Sequence, residues 1–283
     1  MSMQRGYASV RNGQVHYVEA GAGTPLLLLH STPRSSRSFR KLLPHLAPHF
    51  RAIAPDLPGF GESDLLHGKV TMETLGDAMV EFLAALGIDT AHVFGYHTGN
   101  KVAAAMAARH PERLDRLVLC GQIHSIIPDA SERNQAIRHI VDKYFTKYPD
   151  PLRRWSAQWG DVTGFALPRE IFARQDVADA DIADLKVRVL DHVQALSALE
   201  ATYCANFEFD FGGALSRIEA TTLLMELVMP DEEHFGRQLE AVCALLKQGR
   251  GETIQNAGRV AIESHADEIA RSTISFLNEA AYP

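Results

Sequence analysis

The residues best placed to do chemistry are gathered in Gly95-Tyr96-His97-Thr98-Gly99. A short apolar run, Ala91 to Gly95, leads into this segment, and an alanine-rich stretch, Asn100 to His110, follows it and is stopped by Pro111. Such a pair reads as a buried strand followed by a helix, which puts His97 at the turn between them. The start of that helix aims free N–H groups and the positive end of its dipole at any anion developing nearby. An imidazole, with an unperturbed pKa of roughly 6.5, suits work as a nucleophile or general base near neutrality. Two further loop segments follow apolar runs in the same way: His30-Ser31-Thr32-Pro33, and Asp56-Leu57-Pro58-Gly59-Phe60-Gly61-Glu62-Ser63-Asp64.

The elements that must carry these residues can be read from hydrophobic period. Val10 to Glu19 alternates around Asn12-Gly13, a dipeptide that favours a tight turn, and predicts two antiparallel strands. Pro25 to His30, Arg51 to Pro55, Ala91 to Gly95 and Leu114 to Cys120 are short apolar runs of the kind found in strands buried on both faces. Helical spacing lies between them, in Ser36 to Phe50, in Thr71 to Leu86 with Gly87 as its stop, and in Asn100 to His110. Strand and helix alternate, so the sheet is mainly parallel. From Gln122 to Phe207 no strand pattern is found, only helical pieces broken by Pro and Gly. The alternation resumes with a strand at Thr221 to Val228, a helix across Asp231 to Gln248, a strand at Thr253 to Asn256 and a helix from Ser264 to Leu277.

In this order and context the three loop motifs resemble the α/β-hydrolase fold superfamily. Its signatures are His-Gly after one strand, Asp-x-Pro-Gly-x-Gly-x-Ser after the next, and a Gly-x-nucleophile-x-Gly elbow. Any one of these recurs by chance; the three together are specific. The resemblance covers nearly the whole chain. It implies a mainly parallel central sheet flanked by helices, a core domain of residues 1–121 and 208–283, and a helical cap subdomain across 122–207. It also implies that the elbow exposes residue 97 above the sheet, and that the backbone N–H groups of Thr32 and Thr98 form the oxyanion hole.

Against that pattern the triad is rewritten. His97 stands where the family places its nucleophile, usually serine. Where the family places its general-base histidine, after the last strand, this chain has Arg259 in Asn256-Ala257-Gly258-Arg259-Val260. The acidic member falls in Glu226-Leu227-Val228-Met229-Pro230-Asp231, with Asp231 the nearest candidate and Glu226 the runner-up. A guanidinium stays protonated at any relevant pH and cannot serve as a base, so ordinary serine-hydrolase chemistry is excluded on this alignment. Four readings stay open. His97 acts as nucleophile or general base while Arg259 holds a carboxylate or enolate oxygen, which permits hydrolysis and equally cofactor-independent lyase, isomerase or decarboxylase chemistry. The pocket persists without catalysis, as a small-molecule binder. His30, His97 and His124 gather around a metal, although no contiguous ligand motif supports this. Or His97 is an introduced change of serine, which would leave Arg259 unexplained.

Each candidate has a plainer reading beside it. His30 is expected to support its own loop by hydrogen bonds, Arg34 to be a solvated loop residue, and His124 to be a pocket wall. With Tyr96, these are the substrate-binding candidates. Asp56 is expected to order its glycine-rich turn. Asp231 heads an acidic run with Glu232 and Glu233 that fits a helix N-terminus equally well. His265 is expected on the surface, Cys120 in the core, and Trp155, Trp159 and Phe165 in the cap.

The remaining composition narrows the class. The chain has 283 residues, 46% of them hydrophobic and 22% charged, with a formal net charge of -7, which argues against nucleic acid as a partner. Its three cysteines show no pairing pattern, as in a reducing compartment. No signal peptide or membrane span is read near the N-terminus, so a cytoplasmic location is expected. The favoured function is hydrolase-like turnover of a small carbonyl or ester-type substrate without cofactor or metal. A homodimer is the default for an enzyme of this size.

Overall fold

The computed structural model describes residues 3–121, 132, 135, 179–228, 237–258 and 260–279. Its strands are β1 (Gln4–Val10), β2 (Gly13–Ala20), β3 (Pro25–Leu29), β4 (Arg51–Pro55), β5 (Ala91–Tyr96), β6 (Leu114–Cys120), β7 (Thr221–Leu227) and β8 (Gly249–Ile254). They form one eight-stranded sheet in the order β1-β2-β4-β3-β5-β6-β7-β8. β2 runs antiparallel to both β1 and β4, and the pairs from β4 through β8 are parallel. The expected α/β architecture is therefore present. The hairpin turns on Arg11-Asn12, one residue earlier than the sequence suggests, because Gly13 already pairs with Val10 as the first residue of β2.

The helices are α1 (Leu43–Leu46), α2 (Met72–Ala85), α3 (Thr98–Arg109), α4 (Asp179–Ala195), α5 (Leu199–Glu208), α6 (Phe211–Leu215), α7 (Leu239–Cys243), α8 (Ala261–Ser264) and α9 (Ala266–Leu277). α2 begins at a capping box, in which Thr71 and Thr74 satisfy each other's backbone N–H groups, and it stops at Gly87 with φ +70°. The segment Ser36 to Phe50 forms a 3-10 turn over Ser36–Phe39 and then α1. The helix expected across Asp231 to Gln248 reduces, among described residues, to the short α7. The expected final helix is present as α9, preceded by the short α8, and the last strand starts earlier, at Gly249.

Side chains alternate across the sheet into two cores. Leu27, Leu29, Ile53, Val93, Leu117, Leu119 and Leu224 pack toward α2, α3 and α6. Their neighbours Leu26, Leu28, Ala52, Ala54, Phe94, Val118 and Met225 pack toward α1 and α9. A strand whose every residue is buried must be apolar throughout, which is why these runs do not alternate in sequence. Between β6 and β7, the described part of the chain contributes α4, α5 and α6. Among the described residues, no helix is long and apolar enough to cross a membrane.

Candidate active site

His97 joins β5 to α3 with φ +50° and ψ -111°, a left-handed conformation that costs a non-glycine residue of order 1–3 kcal/mol. The turn is held because its N–H donates to the Cys120 carbonyl at 3.0 Å and its carbonyl accepts from Asn100 N–H at 2.9 Å. It is also held by close packing. A Cβ on Gly99 would lie 2.1 Å from the Leu29 carbonyl oxygen, and one on Gly95 would lie 2.6 Å from that of Gly99. The first turn of α3 thus presses on the end of β3, and Thr98 and the loop carrying Thr32 share one edge of the sheet, since β3 and β5 are neighbours. Thr98 opens α3, where backbone N–H groups have no acceptor within the helix. Both oxyanion candidates therefore sit at the edge where the elbow lies.

Asn100 has a role that sequence reading missed. Its Oδ1 accepts from Cys120 N–H at 3.0 Å, and its Nδ2 donates to the carbonyls of Cys120, at 3.1 Å, and Gly121. One amide side chain sews α3 to the end of β6. An Asn in the first turn of a helix carries only a local preference in sequence, so nothing there points to this tertiary bridge.

The other candidates divide into those the structure explains and those outside it. His30 is fully buried, with Nδ1 donating to the Ser31 carbonyl at 3.0 Å and Nε2 accepting from Leu57 N–H at 2.9 Å. Both ring nitrogens are committed to backbone, and burial lowers its pKa, so it is neutral. These bonds match the loop-supporting role expected of His30. Tyr96 is also buried. Its hydroxyl accepts from Ile262 N–H at 3.3 Å, its ring lies 4.3 Å from the His97 ring, and burial raises its pKa. It backs the His97 ring from the core.

Arg34 is no solvated loop residue. It is buried, with Nε on Asp191 Oδ2 at 3.0 Å and Nη2 on Glu263 Oε1 at 2.7 Å. Glu226, the runner-up acid, accepts from Arg237 Nε at 2.5 Å and from Gln238 N–H at 2.9 Å. Asp231, Arg259 and His124 lie outside the described residues, as do Trp155, Trp159 and Phe165. Cys120 is a core residue whose thiol burial pushes up. His265 contacts Ser264 Oγ at 2.9 Å between α8 and α9. Among the described residues, no group of three or more His, Cys, Asp or Glu is arranged to hold a metal.

Asp56 orders its turn as expected and does more. Its carboxylate accepts from Glu62 N–H at 2.9 Å, from Ser36 N–H at 2.6 Å and from His16 Nδ1 at 2.8 Å. Burial alone would raise its pKa, but these donors bring it to about 2. Lys101, one turn into α3, is buried, with Nζ on the Asn206 carbonyl at 2.8 Å and above the Phe207 ring at 5.6 Å. Burial lowers its pKa to about 7.

A mainly parallel sheet, with a strained residue at the end of a central strand and a helix starting directly after it, is the architecture of the α/β hydrolases. The chain belongs to the alpha/beta hydrolase fold family, whose model matches residues 24–169, just over half of its length. Among curated proteins, it is 35% identical over 120 residues to a soluble epoxide hydrolase of a Corynebacterium species, covering 42% of each chain. It is 38% identical over 107 residues to a 2-hydroxymuconate semialdehyde hydrolase of a Pseudomonas species, covering 36% of this chain and 38% of the relative. These matches span about two fifths of each relative's length. In fold it is similar to the epoxide hydrolase CorEH solved without ligand, with TM-score 0.73, 22% identity and coverage of 98% and 99%. It is also similar to an enol-lactonase from Burkholderia xenovorans, with TM-score 0.66, 19% identity and coverage of 97% and 100%.

Proposed function

We propose that the chain is a hydrolase-like enzyme acting on a small carbonyl or ester-type substrate, with His97 in place of the usual nucleophile. The observation that carries this reading is the backbone of His97. A strained φ of +50° at the start of α3 is kept although the side chain is not the family's serine. Strain of this kind persists where surrounding structure over-determines it, most often at active sites.

In this reading, the His97 imidazole attacks the carbonyl carbon or removes a proton from the water that does. Negative charge gathers on the carbonyl oxygen, and the N–H groups of Thr32 and Thr98 receive it. If His97 attacks, an acyl-imidazole forms, the alcohol leaves with a proton, and water then cleaves the acyl group to regenerate the imidazole. Arg259 keeps a permanent charge and binds a carboxylate or enolate oxygen of the substrate, and Asp231 is the acidic partner. That several relatives carry the name hydrolase supports the reaction class.

The test is a panel of p-nitrophenyl acetate, a simple lactone and an epoxide, each offered to the native chain and to His97→Ala. Turnover that His97→Ala abolishes supports the proposal. Turnover that survives His97→Ala moves the chemistry away from His97. Thermal stabilisation by these compounds without turnover points to a binder.

A further inference from the structure

The segment Arg34 to Lys41 carries Arg34, Arg37, Arg40 and Lys41, and each of them is spent on an acid of α4 or α8. Asp191 of α4 is fully buried and accepts from Arg34 Nε at 3.0 Å, Arg37 Nε at 2.8 Å and Ser35 Oγ at 2.6 Å. Glu263 of α8 is also buried, with Oε1 receiving Arg34 Nη2 at 2.7 Å and Oε2 receiving Arg40 Nη2 at 3.0 Å. Asp184, about two turns before Asp191 on α4, takes Arg40 at 2.5 Å and Lys41 at 2.8 Å. Arg37 further reaches Gln194 of the same helix.

These bonds meet at the loop that presents Thr32. Arg34 N–H donates to the Ser31 carbonyl at 2.7 Å, closing a turn around Thr32 and Pro33. The Arg34 guanidinium then fastens the far end of that turn to α4 on one side and α8 on the other. α8 in turn donates Ile262 N–H to the hydroxyl of Tyr96, whose ring packs on His97. A buried carboxylate with three donors holds its partners in one geometry, because moving any of them strands a charge away from water.

We infer that Asp191 is a positioning residue: it couples the seating of α4, which lies between β6 and β7, to the geometry of the Thr32 loop. The part of this inference that concerns catalysis rests on the oxyanion role proposed for Thr32. The coupling itself does not. When α4 is seated, Asp191 fixes Arg34 and Ser35 together, and the Thr32 N–H is aimed. When α4 lifts, Arg34 and Arg37 lose their shared acceptor and the loop is released.

The experiment is hydrogen exchange by mass spectrometry on the native chain and Asp191→Asn, with Ser35→Ala as a milder variant that removes one donor and keeps the charge. Exchange should speed up in residues 31–41 and in α4 together, and stay unchanged in β5 and α3. Rescue by Asp191→Glu should be partial in both segments at once. Faster exchange in α4 alone, with residues 31–41 still protected, would overturn the coupling. On p-nitrophenyl acetate, kcat should fall about tenfold or more with KM little changed, since a displaced oxyanion donor weakens the transition state and not the ground state. An unchanged kcat despite coupled exchange would overturn the positioning role. If the native chain does not turn over this ester, the proposed function fails on that substrate, while the exchange result still decides the coupling.

Discussion

The imidazole of His97 rests against Gly121, at the end of β6. A Cβ placed on Gly121 would lie 3.0 Å from Cε1 and 3.2 Å from Nδ1 of His97, and 2.9 Å from Leu227 Cδ1. The missing side chain is therefore the space that the catalytic candidate's ring fills. Asn100 fixes Gly121 in place, because its amide binds the carbonyls on both sides of the Gly121 Cα, those of Cys120 and Gly121.

Gly121→Ala should displace the His97 ring and strain the backbone at once, since Gly121 has φ +74°. We expect a stability loss of about 1–2 kcal/mol. A ring moved by a fraction of an ångström to about 1 Å should cost on the order of 100-fold in kcat/KM. Ester turnover and thermal unfolding measured on the same preparation separate the two effects. A normal rate in a folded variant would show that the ring does not work from its observed position.

Asp56 makes a pH-dependent contribution whose sign follows from its donors. Its folded pKa of about 2 lies below the ordinary value of 3.8, so the unfolded chain binds the proton more readily. The stabilisation is fully present above pH 4 and is lost as pH falls from about 4 to about 2. It amounts to about 2 kcal/mol. Asp56→Asn should lower stability by about that amount near neutrality, with the deficit shrinking below pH 4. Urea unfolding at pH 7, 5 and 3 checks this, and a deficit that stays constant down to pH 3 would sink it.

How much of this was legible in the sequence depends on the range of the interaction. The buried strands showed as unbroken aliphatic runs such as Leu26 to Leu29, because both faces of a central strand meet apolar partners. The elbow showed through Gly95 and Gly99, whose lack of a side chain is demanded by a carbonyl about 2–3 Å away. His30 was read as a loop support and is one. Arg34 was not legible: its partners Asp191 and Glu263 are 157 and 229 residues away, and no periodicity pairs charges over such distances. The hairpin turn was misplaced by one residue because Asn12-Gly13 carries a strong local preference that strand pairing at Val10 overrode. Lys101 gave no signal beyond a lone charge among alanines.

Lys101 sits where a charge is expensive, and the pH dependence of stability should show it. Its folded pKa of about 7 lies below the ordinary 10.5, so between those values the unfolded chain is protonated and the folded chain is not. Stability must then rise with pH across that window, and the full penalty of burying the ammonium applies below about pH 7. The contact with the Asn206 carbonyl at 2.8 Å persists with a neutral amine, which still donates. Lys101→Met removes both the penalty and the hydrogen bond. The variant should be more stable than the native chain at pH 6, by on the order of a few kcal/mol, and should lose that advantage toward pH 10. There the unpaired Asn206 carbonyl costs it about 1 kcal/mol. Urea titrations at pH 6, 8 and 10 measure the difference directly. A difference that does not change with pH would mean that Lys101 stays charged in the folded chain throughout, held by the carbonyl and the Phe207 ring against its burial.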